Sequence, residues 1–234
     1  DFEIASLALS RTKAPTESRD TMVVVSKGPF KVVNSHTGKT NTFYQNKYKS
    51  LCLRDENGRD LWGIPFDKTI CGTAHNVDIY DNGNLQIIFG AGNCIYVIDR
   101  LGRYVGGFPL ELKKEICLGP DIYEISGKQC ALVLHKDNTV EMYNLKGQKP
   151  ASWKGITSSE TIKDLPQRLI VGGNTFWVVR TSVQTLIYPF VGGEPVTAFA
   201  GDQMALPDTE VKIIDGSSVE LSCYDGKTRS VKLK

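Results

Sequence analysis

The sequence predicts an all-β fold, a β-propeller of about five four-stranded blades, and three observations carry that expectation. First, the chain repeats itself. Asn93–Phe108 (NCIYVIDRLGRYVGGF) returns 45 residues later as Asn138–Trp153 (NTVEMYNLKGQKPASW). Shifted 44 residues the other way, SLCLRDENGRDLWGIPF sets Asp55 on Asp99, Gly58 on Gly102 and Pro65 on Pro109. Second, Gly58, Gly102, Gly147 and Gly193 recur at 44–46 residues, a period that fits a four-stranded blade. Third, each copy reads strand, turn, strand, short turn, strand, Gly turn, strand, with β-branched and aromatic residues between turn formers.

Taken in order, Phe2–Ser10 (FEIASLALS) and Thr21–Ser26 (TMVVVS) read as strands around a polar, proline-bearing loop, Arg11–Asp20. Pro29–Asn34 continues as a strand into the turn Ser35–Gly38. The first full copy spans about Phe30–Phe66, the second Val77–Leu110 and the third Asp121–Trp153. In the second copy the four strands are VDIYDNG, NLQIIFGAG, CIYVIDRLG and RYVGGFPLEL. Gly58, Gly102 and Gly147 each follow an Asp or Asn by three residues, the chemistry of a tight hairpin needing positive φ.

Within the third strand, Leu51/Leu53, Ile95/Val97 and Val140/Met142 occupy one apolar face, and Cys52/Arg54, Tyr96/Ile98 and Glu141/Tyr143 a mixed one. That alternation predicts sheets packed on both sides, one side more completely than the other. Ser158–Leu169 suggests a helical turn, kept short by Pro166. A fourth unit follows as RLIVGG, NTFWVVRT, QTLIYPFVGG and EPVTAFAG, and the chain closes with EVKIIDG and the hairpin VELSCYDGKTRSVKL. Two N-terminal and about three C-terminal strands then make a fifth blade shared by the two ends, closing the ring and removing exposed edges.

The 234 residues suit one propeller domain, 1–234. A start at Asp-Phe-Glu, with neither Met nor signal peptide, marks a fragment or mature part of a longer chain, and a strand with no lead-in favours the cut domain. The 28 basic and 26 acidic residues are scattered, so no nucleic-acid footprint is expected. No apolar run reaches the length of a membrane span. The six cysteines form no CxxC pair; Cys52, Cys94, Cys130 and Cys223 lie in strand-like runs and read as small buried thiols, and the set does not fix the compartment.

At the hairpins the chain resembles a known family. LCLRDENGRDLWGIPF and VVNSHTGK look like the hairpins of quinoprotein-type (PQQ-like) propeller repeats, with VIDRLGRYVGGFPL a looser copy. The chain is also similar to propeller-bearing proteins of Bacteroides-type bacteria, which implies export to the cell envelope, periplasmic or surface-exposed. The enzymes of the quinoprotein group have more and longer blades and a dedicated cofactor site, often beside adjacent paired cysteines. No Cys-Cys pair occurs here, so the likeness is to the non-catalytic members that act as scaffolds.

The residues agree. His36, His75 and His135 fall in different repeats, mostly in turns, without metal-ligand spacing, so no metal is expected. Asp81-Asn82-Gly83-Asn84 lacks the alternate acidic positions of a calcium loop. No nucleophile elbow, Walker loop or dinucleotide fingerprint is present, and Gly90-Ala91-Gly92 has no helix behind it to hold a phosphate, so no cofactor is expected. Asp121 with Glu124, and Asp208 with Glu210, read as strand-end or loop neighbours. Trp62, Phe108 and Trp153 recur at blade-equivalent positions, which argues for inter-blade packing over sugar stacking.

The expectation is a non-catalytic envelope scaffold that holds a protein or cell-surface polymer; the alternative is a propeller-type lyase or hydrolase acting on glycan. A cluster of His, Arg and carboxylates on the central funnel would favour the enzyme. The working rim is expected where the loops joining second to third strands gather: 46–49, 90–93, 135–138 and 181–183. The partner-binding candidates there are Lys49, His135, Lys136, Asp137 and Arg180, with Lys47 beside them.

Overall fold

The computed structural model describes residues 27–197 and 199–233. The expected strands Phe2–Ser10 and Thr21–Ser26, the loop between them and the N-terminal share of a fifth blade lie outside the described residues. Within them the chain is all-β: five antiparallel sheets follow one another, with no α-helix among the described residues.

The first sheet holds β1 (Lys27–Val33), β2 (Thr40–Gln45), β3 (Leu51–Arg54) and β4 (Asp60–Ile64). The second holds β5 (Ile70–Val77), β6 (Gln86–Ala91), β7 (Cys94–Ile98) and β8 (Leu110–Glu111). The third is β9 (Ile116–Ile125), β10 (Lys128–His135), β11 (Thr139–Asn144) and β12 (Ile156–Thr157). The fourth has three strands, β13 (Gln167–Val171), β14 (Asn174–Arg180) and β15 (Thr185–Pro189). The fifth also has three: β16 (Lys212–Asp215), β17 (Ser218–Ser222) and β18 (Thr228–Lys232). Strands pair only with their sequence neighbours, so every sheet is a meander.

The repeating hairpin has a specific cause. Asp55 Oδ1 accepts the amides of Asn57 and Arg59 at 2.9 and 2.8 Å, and Asp99 and Asn144 accept the corresponding pairs. The glycine three residues on then takes φ of +84°, +78° and +76° at Gly58, Gly102 and Gly147. A side-chain oxygen that satisfies two turn amides thus repeats with the sheet. In the fourth sheet the equivalent residue is Gly192, whose N–H donates to Pro189 O at 2.9 Å, and not the expected Gly193.

Several strands differ from expectation. The second sheet begins at Ile70, and the stretch read as its first strand, from Asp78 onward, is a turn in which the Asp78 carboxylate accepts the Asn82 and Gly83 amides. The third likewise begins at Ile116, five residues before Asp121. Of RYVGGFPLEL only Leu110–Glu111 pairs as a strand, with an isolated bridge from Tyr104 to Ile98. Of EPVTAFAG, residues 194–197 form no strand. Val196 donates to Ile187 O at 2.6 Å and the Thr197 hydroxyl accepts from Ile187 N, two bonds to one residue in place of a ladder. Ser158–Leu169 has no helical turn; the one short helix described is the 3-10 turn Gly201–Gln203. His75 and His135 lie on strands β5 and β10 and not in turns.

The sheets pack face on face in chain order, which explains why the middle strands are apolar on both sides. On β7, Tyr96 and Ile98 pack toward the first sheet with Leu51 and Leu53, while Ile95 and Val97 pack toward the third with Ala131 and Val133. On β11, Val140 and Met142 meet Trp177 and Val179 of the fourth sheet, and Phe176 of that sheet meets Val219 and Leu221 of the fifth. Four clusters therefore join five sheets. Trp62, Phe108 and Trp153 pack against the first three of them, in the inter-blade role expected.

The first strands of the first three sheets run beside one another, and each is interrupted at a glycine. Gly28, Gly72 and Gly119 have φ of +96°, +88° and +114°, each beside a break in register with the second strand. A Cβ on Gly72 would stand 2.9 Å from Gly119 N, closer than carbon and a backbone nitrogen approach, so only glycine fits there.

Candidate interaction rim

A four-stranded meander brings the connection between its second and third strands to the same edge as the link into the next sheet. Hydrogen bonds join the two sets. Lys49 Nζ donates to Asp67 O at 2.9 Å, Gln45 Nε2 to Lys68 O at 2.7 Å, and Lys136 N to Glu115 O at 3.0 Å. The Asn138 amide donates to Ser158 O at 2.8 Å and Glu160 O at 2.7 Å. The expected loops therefore share a rim with the inter-sheet links 65–69, 112–115 and 158–166.

Each candidate has a defined place on it. Lys49 sits at φ +65° and spends one ammonium proton on the Asp67 carbonyl. Lys136 forms an ion pair with Glu115, both side chains largely exposed. Asp137 accepts from Lys114 at 2.7 Å and from the Thr139 hydroxyl at 2.5 Å, which together hold its carboxyl down at about 2. Arg180 Nη1 donates to Thr209 O at 3.0 Å, tying the fourth sheet to the link that leads into the fifth.

His135 is different. It is 1% exposed, and burial pushes its pKa below the usual histidine range. Its Nδ1 lies 3.2 Å from Glu115 O, which can only accept, so Nδ1 carries the proton. Nε2 is then free to accept from the Tyr143 hydroxyl at 3.1 Å, and burial holds that phenol up at about 12. Both ring nitrogens are occupied. His135 supports the rim from beneath, and its side chain is not part of the surface.

The residues that the sequence did not single out are the ones that brace the rim. Asn138, at φ +66°, also accepts the Ile162 amide at 2.7 Å. Glu160 accepts from the Thr181 hydroxyl at 2.6 Å and from Gln184 Nε2 at 2.7 Å, linking the third and fourth sheets. Beside them an open cleft of about 340 Å³ is bordered by Cys117, Lys136, Asn138, Ser158 and Thr161. An Asn in a tight loop, a residue type that tolerates positive φ, was the available signal for Asn138; nothing local marks Glu160.

A second polar set lies on the adjoining first strands. His75 Nε2 is 3.1 Å from Asp121 Oδ1 and 2.7 Å from the Thr73 hydroxyl. Tyr123 donates to Asp121 Oδ2 at 3.2 Å and stands 3.1 Å from Pro166 O, at the start of the fourth sheet. Because Thr73 and Asp121 meet the same imidazole nitrogen, His75 cannot relay a proton from one to the other. Among the described residues no three His, Cys, Asp or Glu side chains group closely enough to hold a metal ion. No helix among them is long and apolar enough to cross a membrane.

No protein-family model matches the chain, and no curated protein matches it. Solved structures do. Dihydro-heme d1 dehydrogenase NirN in complex with DHE is similar with a TM-score of 0.56 at 12% identity, over 86% of this chain and 44% of that one. BBS1N in complex with ARL6DN is similar with a TM-score of 0.50 at 12% identity, over 89% of this chain and 64% of that one. A protein of unknown function from Bacteroides caccae aligns with a TM-score of 0.44 at 13% identity, over 84% of this chain and 70% of that one. This chain spans less than two thirds of the NirN and BBS1N chains. At such identities the likeness concerns the fold alone, and the fold is propeller-like.

Proposed function

We propose that the chain is a non-catalytic interaction scaffold of the bacterial cell envelope, binding a protein or surface polymer at the rim of Lys49, Lys136, Asp137 and Arg180. The observation that carries this reading is the fixing of those charges. Each is held by a carbonyl or an opposite charge from an adjoining inter-sheet link, so the rim presents a set pattern before any partner arrives. In this reading the repeats are of the quinoprotein type, on the strength of the Asx–Gly hairpins, and β16–β18 belong to a fifth blade. The second reading, an enzyme acting on glycan, rests on His75 and Asp121.

The internal contacts decide the test. Reversing Lys49 or Arg180 breaks a bond that holds the rim together, so loss of binding there would not separate surface from scaffold. Lys136 and Glu115 can be exchanged instead. Lys136→Glu alone should abolish capture of envelope proteins or sedimentation with envelope polymer. The exchange Lys136→Glu with Glu115→Lys restores the ion pair and the melting temperature, yet binding should stay lost. Full binding by the exchanged variant would place the working surface elsewhere. Glycan cleavage that His75→Ala abolishes would favour the enzyme.

A further inference from the structure

Residues 65–69 link the first two sheets, and beside them the outer edge of the second sheet is interrupted. Tyr104 bridges to Ile98 and Leu110 pairs with Ile95, so residues 105–109 loop past Tyr96 and Val97 in place of a continuous fourth strand. An open cleft of about 350 Å³ lies there, lined by Pro65, Phe66, Asp67, Tyr96 and Tyr104. Its rings are set by packing. Phe66 stands edge-on to Tyr96 at 5.1 Å and 85°, and to Phe89 at 5.7 Å and 77°, while Tyr96 stacks on Phe89 at 5.3 Å. The Tyr104 ring centroid is 6.1 Å from that of Tyr96, yet Tyr104 is 51% exposed where Tyr96 is buried. A ring left half in water beside a packed aromatic cluster is a surface feature that the core does not account for. Among the described residues Asp67 is engaged only through its backbone, whose carbonyl accepts from Lys49, and its exposed carboxylate has no hydrogen bond or ion pair.

We propose that this cleft is a sugar-binding subsite that takes a neutral pyranose unit of a surface polysaccharide. The proposal deepens the polymer branch of the function proposed above and rests on it for the source of the ligand. A pyranose has an apolar face of C–H groups and a rim of hydroxyls, so it is met by an aromatic ring beside a hydrogen-bond acceptor. Tyr104 offers the ring, Pro65 and Phe66 add apolar lining, and the Asp67 carboxylate accepts from the sugar hydroxyls. Rings already held by Phe89 lose little freedom when the sugar arrives. Two other ligands fit less well. A methylated ammonium would seek the same rings, but Lys68 Nζ already lies over the Tyr96 ring, 5.7 Å from its centroid, and repels a second cation. A proline-rich peptide would use the rings and leave the Asp67 carboxylate without a donor.

The test is calorimetric titration with cellohexaose, maltohexaose, xylohexaose and mannohexaose, neutral probes that differ in linkage or hydroxyl pattern. At least one should bind. Tyr104→Ala should weaken that binding roughly five- to tenfold, as the loss of a stacked ring implies, and Tyr104→Phe, which keeps the ring, should stay within about twofold. Asp67→Asn keeps the carbonyl that holds Lys49 and should weaken binding about fivefold. All three variants should melt with the unaltered chain, since both side chains are exposed. Binding of none of the hexaoses, binding that Tyr104→Ala leaves unchanged, or binding of decaproline in their place would overturn the proposal. Lys136→Glu tells its failure from that of the rim. Envelope capture lost in that variant, with no hexaose bound by the unaltered chain, ends the sugar cleft and leaves the rim. Hexaose binding lost in Tyr104→Ala, while Lys136→Glu captures in full, ends the rim and leaves the cleft.

Discussion

Asn138 offers the sharpest test of how the rim is held. Its side chain makes three hydrogen bonds to the link between the third and fourth sheets, two as donor and one as acceptor, while its backbone sits at φ +66°. Asn138→Ala leaves two carbonyls and one amide without these partners, at roughly 1 kcal/mol each. It also forces a Cβ-bearing residue with no local polar compensation into the left-handed region, at roughly 1 kcal/mol more. The sum is a loss of about 4 kcal/mol, or roughly 8–16 °C in Tm for a domain of this size. Asn138→Gly removes the same bonds but not the backbone ease, so it should lose about 1 kcal/mol less than Ala. Asn138→Asp keeps the acceptor for Ile162 but turns a carboxylate on two carbonyls, and should be no better than Ala. Urea unfolding followed by tryptophan fluorescence resolves all three. A loss under about 1 kcal/mol for Ala, or a glycine variant worse than Ala, would refute this account of the rim.

Trp177 is fully buried between the third and fourth sheets, with its Nε1 donating to Phe190 O at 2.9 Å. Trp177→Ala should cost about 3–5 kcal/mol in equilibrium urea unfolding, and a cost below about 1.5 kcal/mol would mean that the two sheets do not pack as described. His135 gives a pH signature. The unfolded imidazole takes its proton near pH ~6.5, and burial makes the folded one resist it, so its contribution to stability is full above that pH and is lost as pH falls. Urea midpoints at pH 7.5 and 5.5 should therefore differ less in His135→Gln than in the unaltered chain; an unchanged or larger difference would count against the buried neutral imidazole.

The parts of the fold written in local chemistry were legible, and the parts written across sheets were not. Asp55–Gly58 and its copies show in the sequence because one side chain and one glycine make the whole turn within five residues. The first strands were misplaced for the opposite reason. Gly72 and Gly119-Pro120 have the composition of a break, yet they sit inside strands, where a Cβ on either glycine would stand 2.9 Å from neighbouring backbone. EPVTAFAG has strand composition, but a strand needs a ladder, and Val196 and Thr197 both bond to the single residue Ile187. At the rim, Lys136 and Asp137 were visible as loop charges. Their partners Glu115 and Lys114 were not, because the pairing depends on which link lies beside which loop. The pair His75–Asp121 is 46 residues apart and meets only through the register of two first strands.

The scaffold reading and the enzyme reading differ in what they require of the titratable groups. General acid–base work needs a group whose pKa lies near the working pH and whose reactive atom has an open direction. At the rim the opposite holds. Asp137 is held far below neutrality by Lys114 and Thr139, and His135 is held neutral with both nitrogens engaged. Groups locked in one charge state make a poor proton relay and a good template, since a partner meets the same pattern of charge across a broad pH range and loses little side-chain freedom in meeting it. The open cleft beside Lys136, Asn138 and Ser158 adds hydroxyl groups to that pattern. A partner that complements it must present anionic or hydroxyl groups to Lys136 and donors to the link carbonyls. Exchanging Lys136 with Glu115 tests that requirement, because it moves a charge without loosening its support.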